Sequence, residues 1–155
     1  MRGRSLIRGI DVSEPARERI TVNSDTRFLS VVRQFLQRMI RQSALPPEDE
    51  NKITLAVDEA VSNVIEHSYE NQAEGTIEVE VEYDASLFRI IVRDNGKSFN
   101  PEVVNDPDIV DHVRLGKKRG LGIFLMRQIM DEVRYVFRDG TRNEVILTKH
   151  IRRRS

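Results

Sequence analysis

Within the segment 76–83, residues 77–83 alternate strictly between apolar and acidic side chains, and this pattern limits the possible folds more than any other feature of the sequence. The apolar positions are Ile77, Val79, Val81 and Tyr83, and the acidic positions are Glu78, Glu80 and Glu82. Successive side chains of a β-strand point to opposite faces, so the pattern predicts a strand with one buried face and one face in water. A sheet built from such strands needs a covering layer on one side only.

Helices can supply that layer. The clearest helical spacing is an apolar stripe made of Ile53, Ala56, Val57, Ala60, Val61, Val64 and Ile65. The predicted order is β-α-α-β-β-loop-α-β-β. The strands are expected at 19–22, 76–83 and 87–93, followed at the end of the chain by a hairpin of 133–138 and 143–149. The helices are expected at 26–42, from the Leu45-Pro46-Pro47 break to about Tyr69, and at 120–130. We therefore expect an α+β fold, a two-layer α/β sandwich with a mostly antiparallel sheet and three helices on one face.

Composition narrows the class of protein. A length of 155 residues suits one domain, so residues 1–155 are predicted to form a single domain with its core at about 19–150. Lys and Arg together number 25, as do Asp and Glu, so no net field attracts nucleic acid or a membrane. The absence of cysteine excludes disulfides and thiol catalysis. No apolar run is long enough for a membrane span or a signal peptide, so we expect a cytoplasmic protein.

Two polar residues of the second predicted helix are candidates for chemistry. Glu59 and Asn63 are four residues apart, so they lie on one face of the helix, and Glu66 extends that face. Such a face is ordinarily no more than solvated helix surface. The functional alternative is a site for Mg²⁺, because carboxylate and amide oxygens suit that ion and water and phosphates complete its shell.

The segment Arg93-Asp94-Asn95-Gly96 directly follows a predicted strand. Asp, Asn and Gly are preferred in turns, so a simple turn is one interpretation. Alternatively, the carboxylate of Asp94 can accept a hydrogen bond from an exocyclic amine, while Gly96 lets a ring approach the backbone. Phe99 would then offer an apolar surface to that ring.

A glycine pair, Gly120 and Gly122, flanks Leu121 at the start of the third predicted helix, after the basic run Lys117-Lys118-Arg119. A glycine there can be ordinary helix capping. Backbone N–H groups at a helix N-terminus also form a cradle for phosphates, and the neighbouring cations would strengthen it. The segment 94–119 between strand and helix has no sustained period, which is typical of a lid, a binding loop or a disordered segment.

The joint order of the three motifs is more specific than any one of them. DEAVSNVIEHSY on a helix, RDNG after a strand and RGLGIFLM opening a later helix resemble the N, G1 and G2 boxes of the GHKL superfamily, which includes gyrase, heat-shock chaperone, histidine kinase and mismatch-repair ATPases. More narrowly, VDEAVSNVIEHSY and RGLGIFLMRQIMDEVRY resemble the anti-sigma factor serine/threonine kinases of bacteria. The resemblance covers about Arg19 to His150 and implies a sandwich of the histidine-kinase/gyrase ATP-binding type.

The resemblance also implies roles for individual residues. Glu59 would be the general base and Asn63 the ligand of Mg²⁺, with ATP as the nucleotide. The residues expected to bind the nucleotide are Asn63, Asp94 (through the adenine amino group), Gly96, Phe99, Lys118, Arg119, Gly120, Leu121, Gly122 and Thr148, which matches a threonine of the last strand that often joins the adenine contact. A lid is expected over about Lys97 to Arg119. His67 is expected to belong to the helix and not to the chemistry.

The function that follows from the resemblance is an ATP-dependent kinase that regulates transcription by partner switching. Its protein partners would be a sigma factor, which it sequesters, and an anti-anti-sigma protein of the STAS type, which it phosphorylates on serine or threonine. A homodimer is also suggested, with no direct contact to nucleic acid or membrane. Two alternatives stay open, a nucleotide-gated binding module without kinase activity and a fragment of a histidine kinase that carries its catalytic domain.

Overall fold

Seven strands and three α-helices occur in the residues that the structure, a computed structural model, describes, namely 6–7, 10–11, 14–99, 121–138 and 142–152. The strands are β1 (Leu6–Ile7), β2 (Ile10–Asp11), β3 (Ala16–Asn23), β4 (Thr76–Tyr83), β5 (Leu87–Asp94), β6 (Glu132–Arg138) and β7 (Arg142–His150). The helices are α1 (Leu29–Gln42), α2 (Glu50–Asn63) and α3 (Leu121–Ile129).

The main sheet has five strands in the order β3-β4-β5-β7-β6, and every neighbouring pair is antiparallel. The strands β1 and β2 form a separate two-stranded hairpin. In the main sheet, β7 lies between β5 and β6, so the last strand of the chain is a central one. Its first residues therefore pair with the end of β5, with Asn143 opposite Asp94.

The three helices cover one face of the sheet, as the alternation in β4 requires. Its apolar residues Ile77, Val79 and Val81 are completely buried beneath the helices. The other face of the sheet carries paired charges, such as Arg93 Nη1 and Glu78 Oε1 at 2.7 Å. The expected α+β sandwich with an antiparallel sheet and three helices on one face is confirmed.

Short 3-10 turns precede two of the helices. Thr26–Phe28 leads into α1, where the side chain of Asp25 accepts a hydrogen bond from the backbone N–H of Arg27 at 2.9 Å. Pro47–Asp49 leads into α2, as expected for a proline in a first helical turn followed by acidic residues. In both cases the first predicted turn is a 3-10 turn, and the α-helix itself begins about three residues after the start that the sequence pattern predicts.

The end of α2 changes its winding. After Asn63 the chain forms one π-helical turn, Val64–Ser68, and then Glu70 and Asn71 adopt positive φ angles that stop the helix. A π turn contains one extra residue per hydrogen-bonded ring, and such turns are frequent at functional sites. Here it brings the backbone of Ser68 to the segment after β5, where Ser68 O accepts a hydrogen bond from the N–H of Lys97 at 2.8 Å.

The differences from the sequence-based prediction are concentrated at the ends of elements. The strand β3 spans eight residues where four were predicted, because its pairing with β4 continues through polar residues at both ends. The hairpin of β1 and β2 was not predicted. In the described parts of the chain, no helix is long and apolar enough to cross a membrane.

Candidate functional site

Asp94, the last residue of β5, is the centre of a buried polar group. Its side chain is only 4% exposed, and it faces the helices. The Oδ1 atom of Asp94 accepts two hydrogen bonds, from the backbone N–H of Gly96 at 2.9 Å and from Nδ2 of Asn143 at 2.9 Å. Nδ2 of Asn143 also donates to the carbonyl oxygen of Gly96 at 3.0 Å.

Two opposing effects act on the charge of Asp94. Burial raises the pKa of its carboxyl above the ordinary value, because a charge in the protein interior loses its hydration. The hydrogen bonds from Asn143 and from the backbone of Gly96 favour the charged form and oppose that increase. The hydroxyl of Ser68 gives weaker help, since it stands near the carboxyl but does not reach hydrogen-bond geometry.

Gly96 has a steric reason to be glycine. A Cβ on this residue would lie 2.5 Å from the carbonyl oxygen of Ser68 and 2.8 Å from its carbonyl carbon. These are backbone atoms of the π turn and cannot rotate away. The close approach lets the Gly96 N–H cap the Asp94 carboxylate.

Asp94 lies in the wall of a cavity between the helices and the sheet. The cavity is lined by Ala60, Asn63, Val64, Asp94, Phe99, Tyr135, Phe137, Asn143, Glu144 and Val145. Nδ2 of Asn63 and the hydroxyl of Tyr135 are buried with no hydrogen-bond partner among the described residues. Buried polar groups are nearly always paired, so unpaired ones in a cavity indicate a place for a polar ligand.

Aromatic side chains form the other wall. Phe99 lies 5.8 Å from Phe137 and 6.1 Å from Tyr135, measured between ring centroids, with both pairs edge to face. The ring of His67 lies 5.3 Å from that of Phe99, so His67 packs at the margin of the cluster. The lining thus combines an acceptor, unpaired donors and flat apolar surfaces, which is the chemistry that recognises a ring with an amino group, while the free volume of the cavity as it stands is only about 10 Å³.

Glu59 lies one turn before Asn63 on α2 and faces α3. A Cβ on Gly122 would overlap Oε2 of Glu59, so the backbone of α3 touches this carboxylate. Burial raises the pKa of Glu59, and the neighbouring charge of Asp58 raises it further. A carboxyl with a raised pKa beside a helix N-terminus is a candidate general base.

The structure does not bring Thr148 to this group of residues. Thr148 pairs with Arg89 in the register, five residues along β7 from Asn143, a distance of about 16 Å at the rise of a strand. Because five is an odd number, its side chain also points to the open face of the sheet, where its Oγ1 lies 3.4 Å from Nε of Arg89. The expected adenine contact by Thr148 does not agree with this placement.

Several expected residues lie outside the described part of the chain. They are Lys118, Arg119 and Gly120, together with most of the expected lid; only its first residues, Lys97, Ser98 and Phe99, are described. Leu121 is the first residue of α3. Among the described residues no three His, Cys, Asp or Glu side chains form a metal cluster.

Asn143 and Tyr135 belong to the site although they are not among the residues expected to bind the nucleotide. The helix-facing positions of β7 are residues 143, 145 and 147, and Asn143 is the polar one among Val145 and Leu147. A polar residue at a core-facing position of a central strand is the signal that could have identified it. Tyr135 gave no such signal, since tyrosine is common in strands.

Comparisons with known proteins identify the family of the chain. Residues 22–149 match the family described as the histidine kinase-like ATPase domain. The chain is 27% identical over 128 residues to the serine-protein kinase RsbW of Listeria monocytogenes, with 80% of each chain covered, and 28% identical over 137 residues to RsbW of Staphylococcus aureus, with 85% of each covered.

A solved structure has the same fold. It is the crystal structure of the RsbU and RsbW domains of Rv1364c from Mycobacterium tuberculosis, with a TM-score of 0.62 and 20% sequence identity, matched over 86% of this chain and 32% of that one. The family match covers most of the chain; two of its motifs contribute Asn63 and Asp94 to one cavity, and the third abuts Glu59 through Gly122. The chain therefore belongs to the histidine kinase-like ATPase domain family, the GHKL superfamily.

Proposed function

We propose that this protein is an ATP-dependent serine/threonine kinase that acts on a partner protein and regulates transcription by partner switching. The observation that carries the proposal is the arrangement of Asp94 and Asn63 around one cavity, with Glu59 a single turn away against Gly122. The similarity to serine-protein kinases named RsbW, over 80–85% of the chain, supports the choice of phosphoryl acceptor.

In this proposal each residue has a separate task. Asp94 accepts the hydrogen bond of the adenine amino group, and Phe99 and Phe137 flank the ring. Asn63 contributes an amide oxygen to Mg²⁺, which the phosphates and water complete, so no cluster of three protein ligands is needed. The N-terminus of α3, with Gly122 in its first turn, faces the phosphates.

Glu59 would accept the proton of the substrate hydroxyl while that oxygen bonds to the γ-phosphorus and the bond to ADP breaks. Its raised pKa is consistent with this task, because a base is most effective when its pKa approaches the working pH. Mg²⁺ held by Asn63 would offset the charge that develops on the transferred group.

The proposed partners are those that the family resemblance implies, a sigma factor held by the protein and an anti-anti-sigma protein of the STAS type phosphorylated by it. We place this activity in a bacterial cytoplasm and propose that the protein works as a homodimer. Phosphorylation of one partner would release or permit the binding of the other.

The test is phosphate transfer from labelled ATP to the partner that co-purifies with the protein. Glu59→Gln keeps the size of the side chain but removes the base, so transfer should fall by about 10²–10⁴-fold while ATP binding persists. Glu66→Gln is the matched control, because it makes the same chemical change at an exposed glutamate seven residues later. Transfer at the parental rate by Glu59→Gln would refute the role of Glu59. ATP binding without any transfer by the parent protein would favour a nucleotide-gated binding module.

A further inference from the structure

Asn143 makes every hydrogen bond that its amide nitrogen can donate. Its two N–H groups go to Oδ1 of Asp94 at 2.9 Å and to the carbonyl oxygen of Gly96 at 3.0 Å. Its oxygen Oδ1 accepts from the hydroxyl of Ser98 at 2.8 Å. The amide nitrogen faces two acceptors and the amide oxygen faces a donor, so only one orientation of the amide satisfies all three hydrogen bonds. Asn143 is 3% exposed, so water does not compete for these hydrogen bonds.

This arrangement treats the two oxygens of Asp94 differently. Oδ1 receives both strong donors, Nδ2 of Asn143 and the N–H of Gly96. Oδ2 accepts no such bond from the residues that the structure describes, because the hydroxyl of Ser68 is near the carboxyl but outside hydrogen-bond geometry, and Asp94 lies in the lining of the cavity. One oxygen is therefore held in place and the other is available.

We propose that Asn143 is a positioning residue for nucleotide recognition: it holds Oδ1 of Asp94 and so presents Oδ2 to the exocyclic amine of adenine. The inference rests on ATP being the ligand of the proposed function. Asn143 does not itself need to touch the base. Through Ser98 it also connects base recognition to the first residues after the Asp94 turn, where the lid is expected to begin.

The same hydrogen bond stabilises the charge of Asp94. Asn143 is the strongest of the donors that oppose the effect of burial on the Asp94 pKa. Without that donor the carboxyl takes up a proton at a higher pH, and a protonated carboxyl is a poorer acceptor for an amine. Loss of Asn143 should therefore weaken ATP binding most at the acidic end of the working range.

Other ionisable groups lie near this pair and must be considered in a pH experiment. On the helix side they are Tyr69 after α2, Tyr135 on β6 and His67 against Phe99. On the open face of the sheet they are Glu78, Arg93, Arg142 and Glu144, whose carboxylate lies 3.5 Å from Arg93. Burial raises the pKa of Tyr135 to about 12 and that of Tyr69 above its ordinary value, so neither tyrosine titrates near neutral pH. All of these groups are present in every variant proposed below.

The test compares two substitutions of Asn143 that should have opposite pH dependence. Asn143→Ala removes the donor, so its affinity for a non-hydrolysable ATP analogue should fall further below the parent as the pH decreases from 8 to 6. Asn143→Asp places a second carboxyl about 3 Å from Oδ1 of Asp94, and two buried carboxylates at that distance repel each other strongly once their shared proton is lost at high pH. Its affinity should be at least about tenfold below the parent at pH 8 and should recover on acidification, because one shared proton restores the hydrogen bond.

Asn95→Asp is the matched control, since it makes the same chemical change at an exposed position next to Asp94. Its pH profile should follow that of the parent. Affinity would be measured by calorimetry, with thermal unfolding of each variant at each pH, so that only folded protein is compared. If Asn143→Asp does not fold at pH 8, the change of nucleotide affinity with pH in Asn143→Ala, relative to the parent, decides whether the proposal holds.

Parental affinity in both Asn143 variants would overturn the proposal, and so would equal losses at every pH, which would indicate a purely structural asparagine. A parent protein that binds the analogue but transfers no phosphate would refute the kinase activity and leave the assignment of Asn143 intact. A parent that binds no analogue at any pH would refute both.

Discussion

The carboxylate of Glu59 and the backbone of Gly122 are in such close contact that no side chain fits between them. A Cβ on residue 122 would overlap Oε2 of Glu59 and would come within 3.2 Å of its Cδ. The contact joins α2 to the first turn of α3, and thus joins the proposed base to the proposed phosphate cradle. The atom that a Cβ would overlap is the end of the flexible Glu59 side chain, which can rotate away at little cost in stability. We therefore expect a side chain at residue 122 to disturb the position of the proposed base more than the folding of the protein.

Gly122→Ala should therefore separate activity from stability. Alanine favours a helix over glycine by about 0.5–1 kcal/mol, and the side chain of Glu59 can rotate away, so the free energy of unfolding should be unchanged or higher. Phosphate transfer should fall by about tenfold or more, because the displaced carboxylate no longer meets the substrate hydroxyl. Gln128→Ala, at an exposed position of the same helix, is the control. A normal transfer rate in Gly122→Ala would mean that the position of Glu59 does not matter.

Gly96→Ala should show the opposite balance. The added methyl group would meet the carbonyl group of Ser68, which is fixed by the π turn and by its hydrogen bond to Lys97. Overpacking against atoms that cannot move typically costs about 1–3 kcal/mol. We expect a lower midpoint in urea unfolding and weaker ATP binding, since the N–H of Gly96 supports Asp94. A variant as stable as the parent would show that the π turn can shift.

The pH dependence of transfer should report the environment of Glu59. Burial, and then the charge of Asp58, raise the pKa of Glu59 above the 4.5 of an ordinary glutamate. A general base acts in its deprotonated form, so the rate should increase as the pH rises through this raised pKa. In Asp58→Asn the like charge is removed, and the acidic limb of the profile should move to lower pH. An acidic limb that stays in place would assign it to another group.

The sequence predicts most of this fold because periodicity records which face of each element is buried. The alternation in β4 and the apolar stripe of α2 specify both layers, and the pairing of β4 with β5 follows from the short turn Asp84-Ala85-Ser86. The ends of β3 were not predictable in this way. Its outer residues are held by hydrogen bonds to β4, which leave no mark on the pattern of apolar residues.

The candidate site was predictable only where a motif is local in sequence. Glu59 with Asn63, and Asp94 with Gly96, are close in the chain, so their spacing already indicates a shared face or turn. Asn143 reaches Asp94 through the order of strands in the sheet, and that order depends on the whole chain. The same long-range register places Thr148 on the opposite face. A family match alone could not reveal this difference, because it compares residue types and not their orientation.

Tyr135→Phe should make the protein more stable and the site less effective. The hydroxyl of Tyr135 is buried with no hydrogen-bond partner among the described residues, and its pKa of about 12 keeps it neutral. An unpaired buried polar group costs about 1–3 kcal/mol, so its removal should raise the free energy of unfolding in urea by about 1 kcal/mol. If the hydroxyl is kept as a donor for the nucleotide, affinity for ATP should fall by about tenfold in the same variant. Tyr83→Phe, at the far end of the sheet, should leave affinity unchanged. Unaltered affinity in Tyr135→Phe would show that the nucleotide does not reach this hydroxyl.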